Sequence, residues 1–200
     1  MIKATSTFLK TAFLISSFGF ITSNAFCGGT ITGTIDTNMP KYKGDAVVYL
    51  LGVKGPTVRE HKTIEQQSLT FVPKVTTIPV GSTIVFTNND KLNSSITSFS
   101  PTKKFNVDKL DSGISKKFTF DKSGVVQLLS KPHAEMTGWV IVTKNQYAAV
   151  TEHDGKFTIP NVPAGTYEIT AWSEKLKPQG KTTVIVAEGK TAPVVLKMTI

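Results

Sequence analysis

Apolar and β-branched residues recur in short alternating runs separated by Gly, Pro, Asn and Asp. This period of two places successive side chains on opposite faces of a strand. The runs Thr30–Ile35, Ala46–Leu51, Ile78–Thr87, Lys117–Phe120, Val125–Leu129 and Gly138–Thr143 have the spacing of a sandwich or small barrel. From about Lys144 a second series begins, with Ala148–Thr151, Lys156–Ile159, Thr166–Trp172, Lys181–Val186 and Pro193–Ile200. Between its first two runs stands Glu152-His153-Asp154-Gly155. Asp-Gly between alternating runs predicts a hairpin, because both central turn positions need positive φ. Beyond the N-terminal segment no stretch has helical periodicity, and Ile64–Leu69 is expected to make at most one helical turn. The pattern therefore predicts an all-β chain of two sandwiches, 26–144 and 145–200, joined near Asn145. The second, of roughly 55 residues, is within the size at which a domain folds alone.

The N-terminal segment reads as an export signal. Lys3 and Lys10 precede the apolar run Ala12-Phe13-Leu14-Ile15, which continues through Phe18, Phe20 and Ile21 to the small-residue site Ser23-Asn24-Ala25. Ser16, Ser17 and Gly19 interrupt the run, which falls short of the roughly 20 residues of a spanning helix. Residues 1–25 are thus expected to be a signal peptide, leaving a periplasmic or secreted chain with no integral membrane span after processing. Cys27, the single cysteine, excludes an intramolecular disulfide. It stands as either a lipid-attachment site, which the bulky Phe26 disfavours, or an unpaired surface thiol.

The formal net charge of +9 changes this picture little. The lysines are spread between strands with no nucleic-acid motif beside them, which excludes a nucleic-acid partner and leaves a solvated basic surface.

Candidate chemistry lies between Phe71 and Trp139. Phe71-Val72-Pro73-Lys74 is followed by Ile78, Gly81, Ile84, Phe86, Asn88 and Asp90, and later by Phe118-Thr119-Phe120-Asp121-Lys122-Ser123-Gly124-Val125. The loop Ser130-Lys131-Pro132-His133-Ala134-Glu135-Met136 then leads into Thr137-Gly138-Trp139. These motifs, in this order, resemble the plastocyanin-like cupredoxins of the methylamine-utilisation-like group. There Phe-x-Pro opens a strand, Asn-x-Asp precedes a copper-binding histidine, and Cys-x-x-His-x-x-Met supplies the other ligands. The tail, with Val150-Thr151, Asp154-Gly155, Phe157, Ile159-Pro160 and Pro163-Ala164-Gly165-Thr166-Tyr167, is similar to the transthyretin-like or carboxypeptidase-regulatory-like sandwich that often follows such a domain. The resemblance implies a cupredoxin-like Greek-key sandwich followed by a small regulatory-like one.

It also implies a degenerate ligand set. The first histidine position is Ser94 and the cysteine position Ser130, so of the four ligands only His133 and Met136 remain. A blue-copper centre needs two imidazoles and a thiolate with a long axial thioether, and a serine hydroxyl stays protonated at neutral pH. No cofactor is expected; copper, held weakly by His133 and Met136, is the one candidate. The bland alternative makes Met136 core filler and His133 a partly exposed loop residue fixed by Pro132. His61 and His153 are expected at the surface, and Asp90 and Asp108-Lys109-Leu110-Asp111 lack a calcium-loop spacing. No nucleophile elbow or phosphate loop is present, and Ser94, Ser130 and His133 lack the further groups a serine nucleophile needs. Two functions stay open: a non-catalytic binding or structural module of the cell envelope, contacting a protein or glycan, and a periplasmic copper-handling protein.

Overall fold

Why the alternating runs become strands, and where each is buried, follows from a computed structural model that describes residues 28–200. The expected signal peptide and Cys27 lie outside the described residues. The early strands are β1 (Gly29–Asp36), β2 (Val47–Leu51), β3 (His61–Gln67), β4 (Thr70–Val72), β5 (Val75–Pro79) and β6 (Ser82–Asn88). Next come β7 (Ser94–Ser98), β8 (Phe105–Leu110), β9 (Ser115–Phe120), β10 (Gly124–Leu129) and β11 (Thr137–Thr143). The last are β12 (Ala148–Val150), β13 (Lys156–Val162), β14 (Gly165–Trp172), β15 (Lys177–Pro178), β16 (Thr182–Val186) and β17 (Thr191–Thr199). One 3-10 turn, Pro40–Tyr42, interrupts them, and among the described residues no helix is long and apolar enough to cross a membrane.

The strands form four sheets. In one pair, β5-β11-β10-β7-β8 faces β4-β3-β6-β9 across a core of Ile64, Phe71, Ile84, Phe86, Phe120, Val126, Leu128 and Val140. In the other, β13-β1-β17-β15 faces β12-β2-β14-β16 across Ile31, Ile35, Leu50, Phe157, Ile159, Ile169, Val184 and Leu196. Each inward set alternates with outward polar residues, as in β6, where Ser82, Ile84, Phe86 and Asn88 are all buried.

The division of the chain differs from the contiguous one expected. The strands β1 and β2 belong to the second sandwich: β1 lies between β13 and β17, and β2 between β12 and β14. The first sandwich is therefore an insertion between β2 and β12, two strands that are themselves antiparallel neighbours. At Asn145 the chain passes from the sheet of β11 to that of β12, without a linker. Asn145 is 5% exposed, its amide donates to the Leu50 carbonyl at 2.9 Å, and its Oδ1 accepts from the Tyr147 N–H. Local pattern could not reveal this, because a strand's alternation does not name its partner.

Three local readings also change. The expected helical turn over Ile64–Leu69 is instead β3 and a two-residue hairpin to β4, with φ of 53° at Ser68 and 57° at Leu69. Positive φ at both central positions is the requirement of a type I′ turn, here met without glycine. The run Ile78–Thr87 splits at Gly81, whose φ of 84° lets the chain pass from the sheet of β5 to that of β6. The Asp154–Gly155 turn forms, with Gly155 at φ 85°, yet it carries the chain between sheets instead of closing a hairpin. Its flanking strands find other edges, β12 on β2 and β13 on β1.

The two sandwiches meet along an apolar seam. Val47, Val75 and Ile141 are buried there with Tyr49, Val125, Trp139, Val150 and Trp172 packed around them. The Trp139 and Trp172 rings lie 5.2 Å apart at 52°, a tilted pair worth about 0.5–1.5 kcal/mol beyond its buried area. At the rim Lys74 Nζ reaches Glu174 Oε2 at 3.2 Å, and Lys175 holds the other oxygen at 3.0 Å.

Two outcomes follow. The fragment 145–200 produced alone should be unfolded by circular dichroism and amide dispersion, because it lacks the strand between β13 and β17; a cooperatively folded fragment would overturn the interleaved pairing. Burial raises the Glu174 pKa, but the Lys175 and Lys74 ammonium groups outweigh it and hold the carboxyl below its ordinary 4.5. A depressed folded pKa gives stability that is present above 4.5 and lost as the pH falls through the folded value. Glu174→Gln should therefore flatten denaturant midpoints across that window, by less than about 1 kcal/mol for so exposed a pair.

Candidate functional site

The loop end of the first sandwich gathers the predicted positions through backbone pairing. Strand β7 runs beside β10, with Thr97 opposite Leu129, so the start of β7 meets the residues just after β10. Ser94 and Ser130 come together there, 4% and 5% exposed, with their hydroxyl oxygens 3.5 Å apart. That separation exceeds the usual 2.5–3.0 Å of a hydroxyl hydrogen bond, so the contact is a weak one.

Met136 is 2% exposed and belongs to the core of the first sandwich. Its N–H donates to the His133 carbonyl at 2.9 Å, which closes a tight turn within the loop. The His133 side chain is partly exposed, with Nδ1 3.8 Å from Glu135 Oε1. His61 and His153 are exposed and lie in other parts of the fold, at the start of β3 and in the turn before β13.

The expected hard-cation candidates have structural work. Asp90 accepts the N–H groups of Ser68 at 2.6 Å and Leu69 at 3.1 Å, which steadies the turn between β3 and β4. Asp108 pairs with Lys131 and takes the Asn106 amide at 2.8 Å, and these two contacts pull its pKa below the ordinary value. Asp111 pairs with Lys109 at 2.9 Å.

Three residues at this end had no assigned role in the sequence reading. Ser95 Oγ accepts the Lys131 N–H at 2.8 Å, tying the residue after Ser94 to the residue after Ser130. Gln66 is fully buried, donates to the Ser95 carbonyl at 3.0 Å, and leaves Oε1 without a partner among the described residues. Asn88 is fully buried too, and its amide spans the Leu92 and Leu110 carbonyls, both at 2.8 Å, while Oδ1 accepts the Asp90 N–H. Asn88 and Asp90 thus brace adjoining turns, which explains an Asn-x-Asp pair at a strand end without any metal. The inward parity of Gln66 with Ile64 was its only available signal.

The donor set does not fit blue copper. Two protonated hydroxyls stand at buried positions, the thioether is packed in the core, and the one imidazole sits beside a carboxylate. Among the described residues no group of three or more His, Cys, Asp or Glu side chains is gathered as a metal site.

Against known proteins, residues 121–194 match the family described as polysaccharide lyase family 4, domain II, a span that begins before β10 and ends within β17. No curated protein matches the chain. Among solved structures the chain is similar to the Cu-containing nitrite reductase (NirK) from Thermus scotoductus SA-01, at 26% identity and a TM-score of 0.40. That likeness covers 46% of this chain and 24% of the reductase, so the chain spans about a quarter of that protein's length. It is also similar to a novel purple cupredoxin from Nitrosopumilus maritimus, at 26% identity and a TM-score of 0.37, over 41% of this chain and 99% of that one. A Cu(I) form of an amicyanin variant shows 13% identity and a TM-score of 0.39 over 48% and 98% of the two chains.

The geometry separates the serines by their effect on stability. Ser94→Ala combined with Ser130→Ala removes both partners of a weak contact and should be close to neutral, whereas Ser95→Ala removes the hydrogen bond to the Lys131 N–H and should cost about 0.5–1.5 kcal/mol. Met136→Ala opens a core cavity and should cost about 2–5 kcal/mol. Urea denaturation of the variants measures all three; equal effects from the Ser94/Ser130 double variant and from Ser95→Ala would contradict the assignment.

Proposed function

We propose that this is an exported, non-catalytic envelope protein whose cupredoxin-like sandwich has given up copper chemistry and, fused to a regulatory-like sandwich, serves as a binding or structural module for an envelope protein or glycan. The observation that carries the reading is the buried contact between Ser94 and Ser130. Both positions that the resemblance assigns to a histidine and a cysteine hold hydroxyls, packed against one another. The N-terminal Lys-apolar-small pattern supports export, and the absence of a paired acid, nucleophile elbow or phosphate loop in the sequence supports a role without catalysis.

Two features weigh against copper handling through His133 and Met136. The thioether is 2% exposed within the core, so it would have to leave well-packed neighbours to reach a metal. The imidazole faces Glu135 at 3.8 Å rather than a second soft donor.

Metal analysis of the purified protein with Cu(I) and Cu(II) titration tests the reading. No intense thiolate-to-copper absorption and no reversible electron-transfer couple are expected. Ser94→His with Ser130→Cys should create a coloured copper site that depends on His133, because the two substituted positions already adjoin. Intense colour in the unmodified protein, or stoichiometric Cu(I) binding abolished by His133→Ala and by Met136→Ala, would overturn the proposal. A folded double variant that binds no copper would count against the cupredoxin-like assignment.

A further inference from the structure

The apolar seam does not close completely. At one edge it opens into a cleft of about 220 Å³ whose walls include Tyr49, Leu51, Val125, Ile141, Lys144 and Trp172, contributed by both sandwiches. A dry apolar cavity of about 150 Å³ accepts a benzene-sized molecule, and drug-sized ligands occupy roughly 300 Å³ or more. The cleft thus has room for a single ring with a short substituent.

Its polar features are few and of one sign. No carboxylate lines it, and Lys144 makes no ion pair among the described residues. Lys144 is exposed and is the one charged residue of the lining, whose apolar part is aromatic and aliphatic. Tyr49 is half-buried, and its desolvation pushes the phenol pKa upward, which keeps the hydroxyl protonated and able to donate. A neutral apolar molecule would leave the cation unused, and a small hydrated anion would gain nothing from the rings.

We propose that this cleft binds a small aromatic carboxylate, its ring against Tyr49 and Trp172 and its carboxylate on the Lys144 ammonium. The site is independent of the serine pair, which lies at the loop end of the first sandwich. It depends on the insertion, since neither sandwich alone supplies both walls.

The chain carries only two tryptophans, Trp139 and Trp172, and both lie in the seam, so selectively excited tryptophan fluorescence reports on this region alone. Titration of the full chain with benzoate should give a saturable fluorescence change with Kd of about millimolar, as expected for so few ligand atoms. Benzamide should bind about two- to fivefold more weakly, the upper part of the range an exposed cation contributes. Lys144→Gln should weaken benzoate to the level of benzamide and leave benzamide unchanged. Val125→Phe should fill the cleft and remove both, with circular dichroism confirming the fold; if that variant does not fold, the Lys144→Gln comparison decides alone. The absence of saturable benzoate binding, equal affinity for benzoate and benzamide, or benzoate binding unaffected by Lys144→Gln would each overturn the proposal.

Discussion

The architecture depends on one placement, that of β1 between β13 and β17. It pairs in parallel with β17 from Thr30 opposite Thr191 to Asp36 opposite Lys197, and antiparallel with β13 on its other edge. Gly33 makes the placement feasible, since a Cβ there would collide with the Val194 carbonyl and with the Phe157 ring. Parallel neighbours cannot be joined by a short turn. Here nearly the whole chain intervenes, including a complete sandwich, so the second core cannot close until strands from both ends of the sequence have met.

Insertion then gives the join two chain connections. A domain attached by one linker is free to swing, whereas this one leaves β2 and returns at β12, two adjacent strands of one sheet. Asn145 stitches the return to Leu50, and Thr57 Oγ1 donates to the Lys144 carbonyl at 3.1 Å on the outgoing side. With both connections held, the sandwiches share an apolar seam. Val47, Tyr49, Val150 and Trp172 therefore make apolar contacts on what would otherwise be the solvent side of their sheet.

The strands that carry an apolar alternation were legible in the sequence; those that do not were not. β7 reads Ser-Ser-Ile-Thr-Ser, a polar string, yet all five residues are buried in a strand held between β10 and β8. β3, with His61, Lys62, Glu65 and two glutamines, gains its place from the parallel partner β6 rather than from its own hydrophobicity. At the loop end the positions were legible one by one, and their meeting was expected only through a resemblance. What local pattern could not convey was long-range: which strand β1 would join, and that a hydroxyl one residue beyond Ser94 would fasten the loop.

That hydroxyl explains how the loop keeps its form with Ser94 and Ser130 making only a weak contact with each other. A bound metal can brace a loop by joining donors from different strands, and losing it would release them. Here Ser95 joins β7 to Lys131, Asp90 holds the turn before β4, Asn88 spans two carbonyls, and Met136 anchors the far end in the core. Each tie is a hydrogen bond to the backbone or an apolar contact, and none depends on the chemistry of Ser94 or Ser130. The loop end is thus held by ties from β7, from the turn before β4 and from the core, with none of them running through the Ser94 or Ser130 side chain.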